Sequence, residues 1–385
     1  MLTEATAPAT RLRAVRRPAP ARALTAALLG YTAARLLGVL TVVLWPHRSE
    51  PGLRRLGTLW DAYWYQGIAA HGYAGTAPVP GPHGPYEAYA FFPGYPLLIR
   101  LLSLLMPPEY AAPAVAWAAS LAAAWGIFLL AERLYGPRAG VCAAVLWGVL
   151  PTAVVESAAY SEPLFTAFAA WAGYAAVRHH WLRAGTLSLL AGLCRPTGLA
   201  LAAAVAAAAL WELLRHRAGW RALAGAALAP LGSLGFIAWV GWRKGRPDGY
   251  FRVQDAWQSH FDYGRKTFYA LRDLLTKADL VFLTDVVVAA TLAAAVLLFA
   301  LSVVQRQPPV LLLYSAAMLT LALGDAAYFN SRARFLLPAY ALLLPPAAGL
   351  ARVRSRVSLA LLLGSAAVLS ALYGGYLVFV YPDAP

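Results

Sequence analysis

The chain has 385 residues, of which 61% are hydrophobic and only 13% are charged. Such a composition excludes a soluble protein of several ordinary domains and predicts an all-α integral membrane protein with many spans. The formal net charge of +15 does not indicate nucleic-acid binding, because the basic residues lie mostly in short segments between apolar runs. Frequent Ala and Arg with only three lysines is typical of a GC-rich, bacterial genome.

The N-terminal residues 1–21 are rich in Ala, Pro and Arg and predict a disordered cytoplasmic tail, followed by a single polytopic transmembrane domain over residues 22–385. The first apolar run, Leu24–Trp45, is long enough to cross about 30 Å of hydrocarbon at about 1.5 Å per residue. It is longer than the hydrophobic part of a signal peptide, and no small-residue cleavage site follows. We therefore expect an uncleaved helix that runs from the cytoplasm to the outside.

Further apolar runs bring the predicted bundle to about eleven transmembrane helices. With the N-terminus in the cytoplasm, every inner connection carries basic residues, as the positive-inside rule requires. The chain is thus expected to be a multi-pass plasma membrane protein. The remaining runs are Ala111–Ala131, Gly140–Val155, Leu164–Val177, Ala184–Leu193, Gly198–Leu214, Ala222–Trp242, Val281–Val304, Pro309–Leu323, Phe335–Leu350 and Val357–Tyr381.

This topology treats the segment Ala90–Tyr110 as interfacial or re-entrant. The segment is short, contains Pro93 and Pro96, and carries Arg100 in its middle, all of which disfavour a helix exposed to lipid. Two large outer loops result, over residues 47–110 and 243–280. The first is expected to carry short interfacial helices, and the second, with mixed charges, is expected to be a solvated amphipathic surface.

The stretch "LWDAYWYQGIAAHGY" places one carboxylate, Asp61, among aromatic residues at a predicted membrane boundary. If Leu59–Ala70 is helical, Asp61 and Tyr65 share one face, and Trp64 and His71 share the neighbouring one. Asp61 is then either a helix N-cap or loop acid, or a general base. Apolar rings around a carboxylate would raise its proton affinity, which suits the second role.

The stretch "ESAAYSEPLF" follows the third predicted span. Ser161 and Glu162 before a proline are typical of an ordinary helix start. The alternative is a site at the outer surface, where Glu156, Tyr160 and Glu162 would bind sugar hydroxyls.

The stretch "LCRPTG" interrupts an apolar region with Arg195, Pro196 and Gly198. An arginine at such depth either snorkels to the interface or has a functional partner. The helix break predicts unwound backbone that faces a cavity, where the guanidinium would hold a phosphate in a bidentate manner.

The stretch "GDAAYFNSRARFLLPAY" places Arg332 and Arg334 directly before a span on the predicted outer side. Basic residues on this side are not explained by the positive-inside rule, and they favour an anionic ligand, with lipid headgroups as the alternative. Motifs for nucleotide binding, zinc proteases and serine hydrolases are missing from the sequence, so a cytosolic ATP or nucleotide-sugar mechanism is not supported.

Taken in this order, "WDAYWYQGIAAHGY", "AFFPGYPLLIR", "YSEPLF" and "RPTG" resemble the GT-C superfamily of membrane glycosyltransferases, and most closely bacterial relatives of the GPI mannosyltransferase II family. The resemblance implies a GT-C-like bundle in which Asp61 is the catalytic base on the outer face. It also implies that Arg195, with Arg332 or Arg334, binds the donor phosphate. Sugar and acceptor binding would fall to Glu162, Tyr160, Trp64, Tyr65 and His71.

The implied reaction is inverting transfer of a sugar, by the resemblance mannose, from a polyprenyl-phosphate donor to an acceptor hydroxyl of a glycolipid, glycan or protein. Some superfamily members have two adjacent acids in the first loop, whereas Ala62 follows Asp61 here, so no metal or other cofactor is expected. Two alternatives remain open: a flippase or transporter of lipid-linked sugars, and a non-catalytic subunit with the same fold. A transporter would not need the carboxylate of Asp61.

Overall fold

The computed structural model describes residues 21–46, 51–277 and 282–384. Residues 1–20 of the predicted tail lie outside this described part. The described residues form α-helices and short 3₁₀ helices without a β-strand. The first nine α-helices are α1 (Ala21–Leu44), α2 (Gly52–Thr58), α3 (Ala62–Gly75), α4 (Gly94–Leu102), α5 (Pro108–Tyr135), α6 (Pro137–Gly148), α7 (Glu162–Val177), α8 (Trp181–Gly192) and α9 (Gly198–Leu214).

The second half of the chain alternates long apolar helices with short ones in the connections. Its α-helices are α10 (Trp220–Leu228), α11 (Leu231–Arg243), α12 (Gly249–Ala256), α13 (Arg265–Thr276), α14 (Leu283–Val304), α15 (Pro309–Gly324), α16 (Arg332–Phe335), α17 (Leu344–Leu350) and α18 (Arg356–Phe379). The 3₁₀ helices are Ala88–Ala90, Ala153–Ser157, Phe329–Ser331 and Tyr340–Leu343.

Within the described residues, five helical segments are long and apolar enough to cross a bilayer: α1, α5, Trp220–Arg243, α14 and α18. Two further segments, Phe329–Phe335 and Tyr340–Leu350, bend by 72° and bring the number to six if they form one span. The predicted number of eleven is not confirmed, because several predicted runs fold as helices of only 12 to 17 residues, such as α8 and α9. The all-α, multi-pass membrane architecture is confirmed.

The segment Ala90–Tyr110 contains α4, which has only nine residues and a length of about 14 Å at about 1.5 Å per residue. A helix of this length does not cross a bilayer. The backbone N–H of Gly94 donates to the carbonyl oxygen of Leu193 at 2.7 Å, which attaches the start of α4 to the break between α8 and α9. This hydrogen bond therefore joins the segment before α5 to the helix break that the sequence predicts at Arg195.

Glycine allows some of the helices to pack at backbone contact, as is common in membrane proteins. The clearest case joins α8 to α10. A Cβ atom at Gly185 would lie 2.2 Å from the carbonyl oxygen of Gly225, and one at Gly225 would lie 2.3 Å from the carbonyl oxygen of Trp181. Only glycine fits this crossing without moving the helices apart.

Gly185→Ala is expected to destabilise the fold by about 1–3 kcal/mol, because the added methyl group overlaps a backbone carbonyl. Thermal unfolding of the purified protein in detergent measures the change. Gly364→Ala is the matched control, since Gly364 lies in α18 with open space around it and Ala favours helix. Equal unfolding temperatures for both variants would contradict the close crossing of α8 and α10.

Candidate active site

Asp61 lies immediately before α3 and not within it. The helix begins at Ala62, and Trp60 has a positive φ of 57°, so the predicted helix start at Leu59 is wrong. The carboxylate of Asp61 does not cap α3. It accepts a hydrogen bond from Arg334 Nη1, with 2.9 Å between Oδ2 and Nη1, and the side chain keeps 20% of its surface exposed. The carboxylate therefore faces a distant part of the chain and remains accessible to water.

Glu162 is the first residue of α7 and is completely buried. Its carboxylate lies between two guanidinium groups: Oε2 is 2.7 Å from Arg195 Nη1, and Oε1 is 3.3 Å from Arg334 Nη1. These are ion-pair distances without hydrogen-bond geometry. A buried carboxylate requires such partners, because desolvation of an isolated charge is costly. Glu162 thereby links the two arginines.

Arg195 occupies the short break between α8 and α9, where the sequence predicts unwound backbone. Its side chain is only 11% exposed. Besides Glu162, Arg195 Nη1 donates to Ser161 Oγ at 3.1 Å, and the same oxygen lies 2.8 Å from the hydroxyl of Tyr65. Ser161 therefore connects Arg195 to α3, a role that sequence reasoning missed because Ser161 was expected only to start a helix.

Arg334 and Arg332 lie on the same short helix, α16, but bind different parts of the molecule. Arg334 reaches Asp61 and Glu162. Arg332 instead donates to the hydroxyl of Thr267 and, at 2.5 Å, to the carbonyl oxygen of Asp325. The structure thus brings Arg334, and not Arg332, to the predicted base.

We call Asp61, Glu162, Arg195 and Arg334 the charge cluster. It contains two carboxylates and two guanidinium groups, all drawn from separate parts of the chain. The Nε–H groups of both arginines are buried and have no hydrogen-bond partner within the described residues. Guanidinium groups are chemically suited to bind an anion rich in acceptor atoms, such as a phosphate.

Tyr160 and Glu162 are completely buried, which corrects the expected position at the surface. The guanidinium of Arg334 lies 4.7 Å from the ring centroid of Tyr160, and the ring of Trp60 packs against the same tyrosine at 5.8 Å. The ring of Tyr160 therefore packs against the guanidinium group of Arg334.

Glu156 is also buried, away from the charge cluster. It accepts a hydrogen bond from the Tyr31 hydroxyl at 2.7 Å, and its Oε2 lies 3.8 Å from Arg35 Nε. Arg35 in turn donates to the carbonyl oxygen of Gly148 at 3.0 Å. The ion pair of Arg35 and Glu156 holds the segment before Tyr160 against α1. The sequence signal for this pair was Arg35, an arginine inside the first apolar run.

The remaining predicted site residues differ in their surroundings. Tyr65 is buried and reaches the cluster through Ser161. Trp64, the residue before Tyr65, is also buried, and its ring stacks on Phe91 with 5.6 Å between ring centroids. His71 is exposed, and no hydrogen bond or ion pair connects it to the charge cluster in the part of the chain that the structure describes. The structure therefore brings Tyr65 to the charge cluster, whereas Trp64 packs against other aromatic rings and His71 does not reach the cluster.

An apolar groove of about 400 Å³ opens beside α7. It is lined by aliphatic side chains of α4 and α5 and by Leu164, which follows Glu162 by two residues. Such an aliphatic surface suits a hydrocarbon chain.

No family model and no curated protein matches the chain. Among solved structures it is similar to ArnT from Cupriavidus metallidurans bound to undecaprenyl phosphate, with 16% identity and a TM-score of 0.53 over 87% of this chain and 62% of ArnT. For ArnT in the apo state the identity is 14% and the TM-score 0.56, over 93% of this chain and 76% of ArnT.

The Archaeoglobus fulgidus oligosaccharyltransferase in complex with Zn and sulfate gives 17% identity and a TM-score of 0.49, over 92% of this chain and 53% of the other. The chain spans about 62% of the length of lipid-bound ArnT. It has the fold of GT-C integral membrane glycosyltransferases.

Proposed function

We propose that the chain is an inverting glycosyltransferase that moves a sugar from a polyprenyl-phosphate donor to an acceptor hydroxyl on the outer face of the membrane. The observation that carries this proposal is the charge cluster, which joins an accessible carboxylate to two buried arginines. ArnT, which has the same fold, was solved bound to undecaprenyl phosphate, and this supports a lipid phosphate as the donor's leaving group. The sequence resemblance to mannosyltransferases supports mannose as the sugar.

Asp61 is the base in this proposal. Of the two carboxylates in the cluster, Asp61 is partly exposed, whereas Glu162 is buried between two guanidinium groups. The hydrogen bond from Arg334 fixes one oxygen of Asp61, Oδ2. An acceptor hydroxyl that approaches this carboxylate loses its proton to Asp61 as its oxygen attacks the anomeric carbon.

Arg195 and Arg334 bind the leaving group. As the bond between the anomeric carbon and the phosphate oxygen breaks, its electron pair leaves with the polyprenyl phosphate, and the two guanidinium groups stabilise the added charge. Glu162 holds both arginines in place, so their N–H groups are oriented before the substrate binds. We infer that the apolar groove lined by α4, α5 and Leu164 accommodates part of the prenyl chain.

The direct test is transfer of radiolabelled mannose from polyprenyl-phosphomannose to a glycolipid acceptor by the purified protein in vesicles. Transfer with inversion of the anomeric configuration is expected. Movement of the intact donor across the vesicle membrane without transfer would instead indicate a transporter.

Arg195→Gln is expected to weaken binding of undecaprenyl phosphate about ten- to a hundredfold, because one charge-assisted contact to the phosphate is lost. Native mass spectrometry of the protein titrated with this lipid measures the effect. Arg354→Gln removes an equal charge from an exposed position and should leave binding unchanged. Equal binding by both variants would show that Arg195 does not contact the phosphate.

A further inference from the structure

Four aromatic side chains from separate segments of the chain pack together beside α3. Trp64 lies 5.7 Å from Trp257, and Trp257 lies 4.3 Å from Tyr86, measured between ring centroids. The hydroxyl oxygens of Tyr86 and Tyr328 are 3.4 Å apart. We call these four residues the aromatic rim. Its members come from α3, the loop after α3, the residue after α12 and the segment before α16.

One member of the aromatic rim, Trp64, lies in the first turn of α3, directly after the proposed base. The backbone N–H of Trp64 donates to the carbonyl oxygen of Asp61 at 3.1 Å. At the other end of the rim, Tyr328 precedes Arg334 by six residues in the sequence. Partial burial, the neighbouring Tyr86 and the negative charge of Asp61 together raise the pKa of Tyr328.

Three members of the rim are accessible to a ligand, whereas Trp64 is buried. Tyr328 has 49% of its surface exposed, and Tyr86 and Trp257 are half-buried. The rim shares no lining residue with the apolar groove beside Leu164, so a ligand on the rim is distinct from the lipid chain. Aromatic residues that anchor a protein in lipid need no nearby carboxylate. Here two of the rings carry phenol hydroxyls, and Trp64 follows the acid Asp61 by three residues.

Flat aromatic faces with polar hydroxyls at their edges match the chemistry of a sugar ring. The C–H groups on one face of a pyranose pack on aromatic carbon, while its hydroxyls form hydrogen bonds with phenols. A peptide side chain or a lipid headgroup offers fewer groups that can both pack on the aromatic faces and form hydrogen bonds with the phenol hydroxyls.

We propose that the aromatic rim is an acceptor subsite that binds a pyranose ring, with one ring hydroxyl directed to Asp61. The acceptor is therefore a glycan or the sugar portion of a glycolipid. This inference rests on the proposed function for the identity of the reacting groups, but sugar binding to the rim is measurable without any turnover.

The binding test uses saturation-transfer NMR with methyl α-D-mannopyranoside and the full chain in nanodiscs, with the peptide Gly-Ser-Gly as a hydroxyl-bearing control. The sugar is expected to bind and the peptide is not. Tyr328→Ala is expected to weaken sugar binding about three- to tenfold, whereas Tyr328→Phe, which keeps the ring, should retain most of it. Because Tyr328 is half exposed, both variants should fold, and thermal unfolding checks this.

Several outcomes would overturn the proposal: no sugar binding, preferential binding of the peptide, or equal sugar binding by wild type and Tyr328→Ala.

In the transfer assay, Tyr328→Ala should raise the KM for the acceptor and not for polyprenyl-phosphomannose. The reverse result would show that the rim binds the sugar of the donor and not the acceptor. If sugar binding depends on Tyr328 but no transfer occurs, the subsite stands and the proposed function fails. If transfer depends on Asp61 but Tyr328→Ala leaves sugar binding unchanged, only the subsite proposal fails.

Discussion

Asp61→Asn is expected to lower the rate of sugar transfer by about 10²- to 10⁴-fold, because the amide no longer accepts the proton of the acceptor hydroxyl. Asparagine has nearly the same shape as aspartate, and its side-chain oxygen still accepts a hydrogen bond from Arg334 Nη1, the partner of Asp61 in the structure. Binding of undecaprenyl phosphate should therefore persist. Transfer of labelled mannose measures the loss, and native mass spectrometry measures the retained lipid binding.

Asp255→Asn serves as the control for this experiment, since Asp255 is an exposed acid on α12. It should transfer sugar at the wild-type rate. Full activity of Asp61→Asn would exclude Asp61 as the base and direct attention to Glu162. A variant that loses both transfer and lipid binding would indicate a structural contribution of the carboxylate.

Arg334→Ala is expected to have the largest effect on both folding and donor binding. It leaves Asp61 without its guanidinium partner and leaves the buried Glu162 with Arg195 alone. Removal of one member of a buried ion pair costs about 3–5 kcal/mol, because the remaining charge is still desolvated. Arg334→Lys should recover part of this stability through its charge, but not the forked contact with a phosphate. Thermal unfolding and titration with undecaprenyl phosphate measure the two effects separately.

Arg332→Lys is the matched comparison, because Arg332 is buried on the same short helix but contacts Thr267 and Asp325. It is expected to reduce stability and to leave binding of undecaprenyl phosphate intact. If Arg332→Lys loses lipid binding and Arg334→Lys keeps it, the phosphate site lies on the opposite side of α16 from the charge cluster.

The amino-acid sequence by itself determined that the chain is an all-α membrane protein, because about 20 consecutive apolar residues have no stable alternative to a helix in lipid. It also located the helix break at Arg195, since Pro196 disfavours a continuous helix and a guanidinium is costly in lipid. The short helix α4 was likewise predictable as non-spanning from Pro93, Pro96 and Arg100. These features depend on local composition.

Only the tertiary structure decided which charged residues meet. Arg332 and Arg334 are two residues apart, so on a helix they point about 200° apart, and either one was compatible with a site at the predicted outer end of the bundle. The contact between Arg334 and Asp61 joins residues that are 273 positions apart. Glu162 was expected at the surface, but α7 begins in the interior, where the two arginines compensate its charge. Such pairings depend on how the helices pack, and local sequence patterns contain no information about which distant partner neutralises a buried charge.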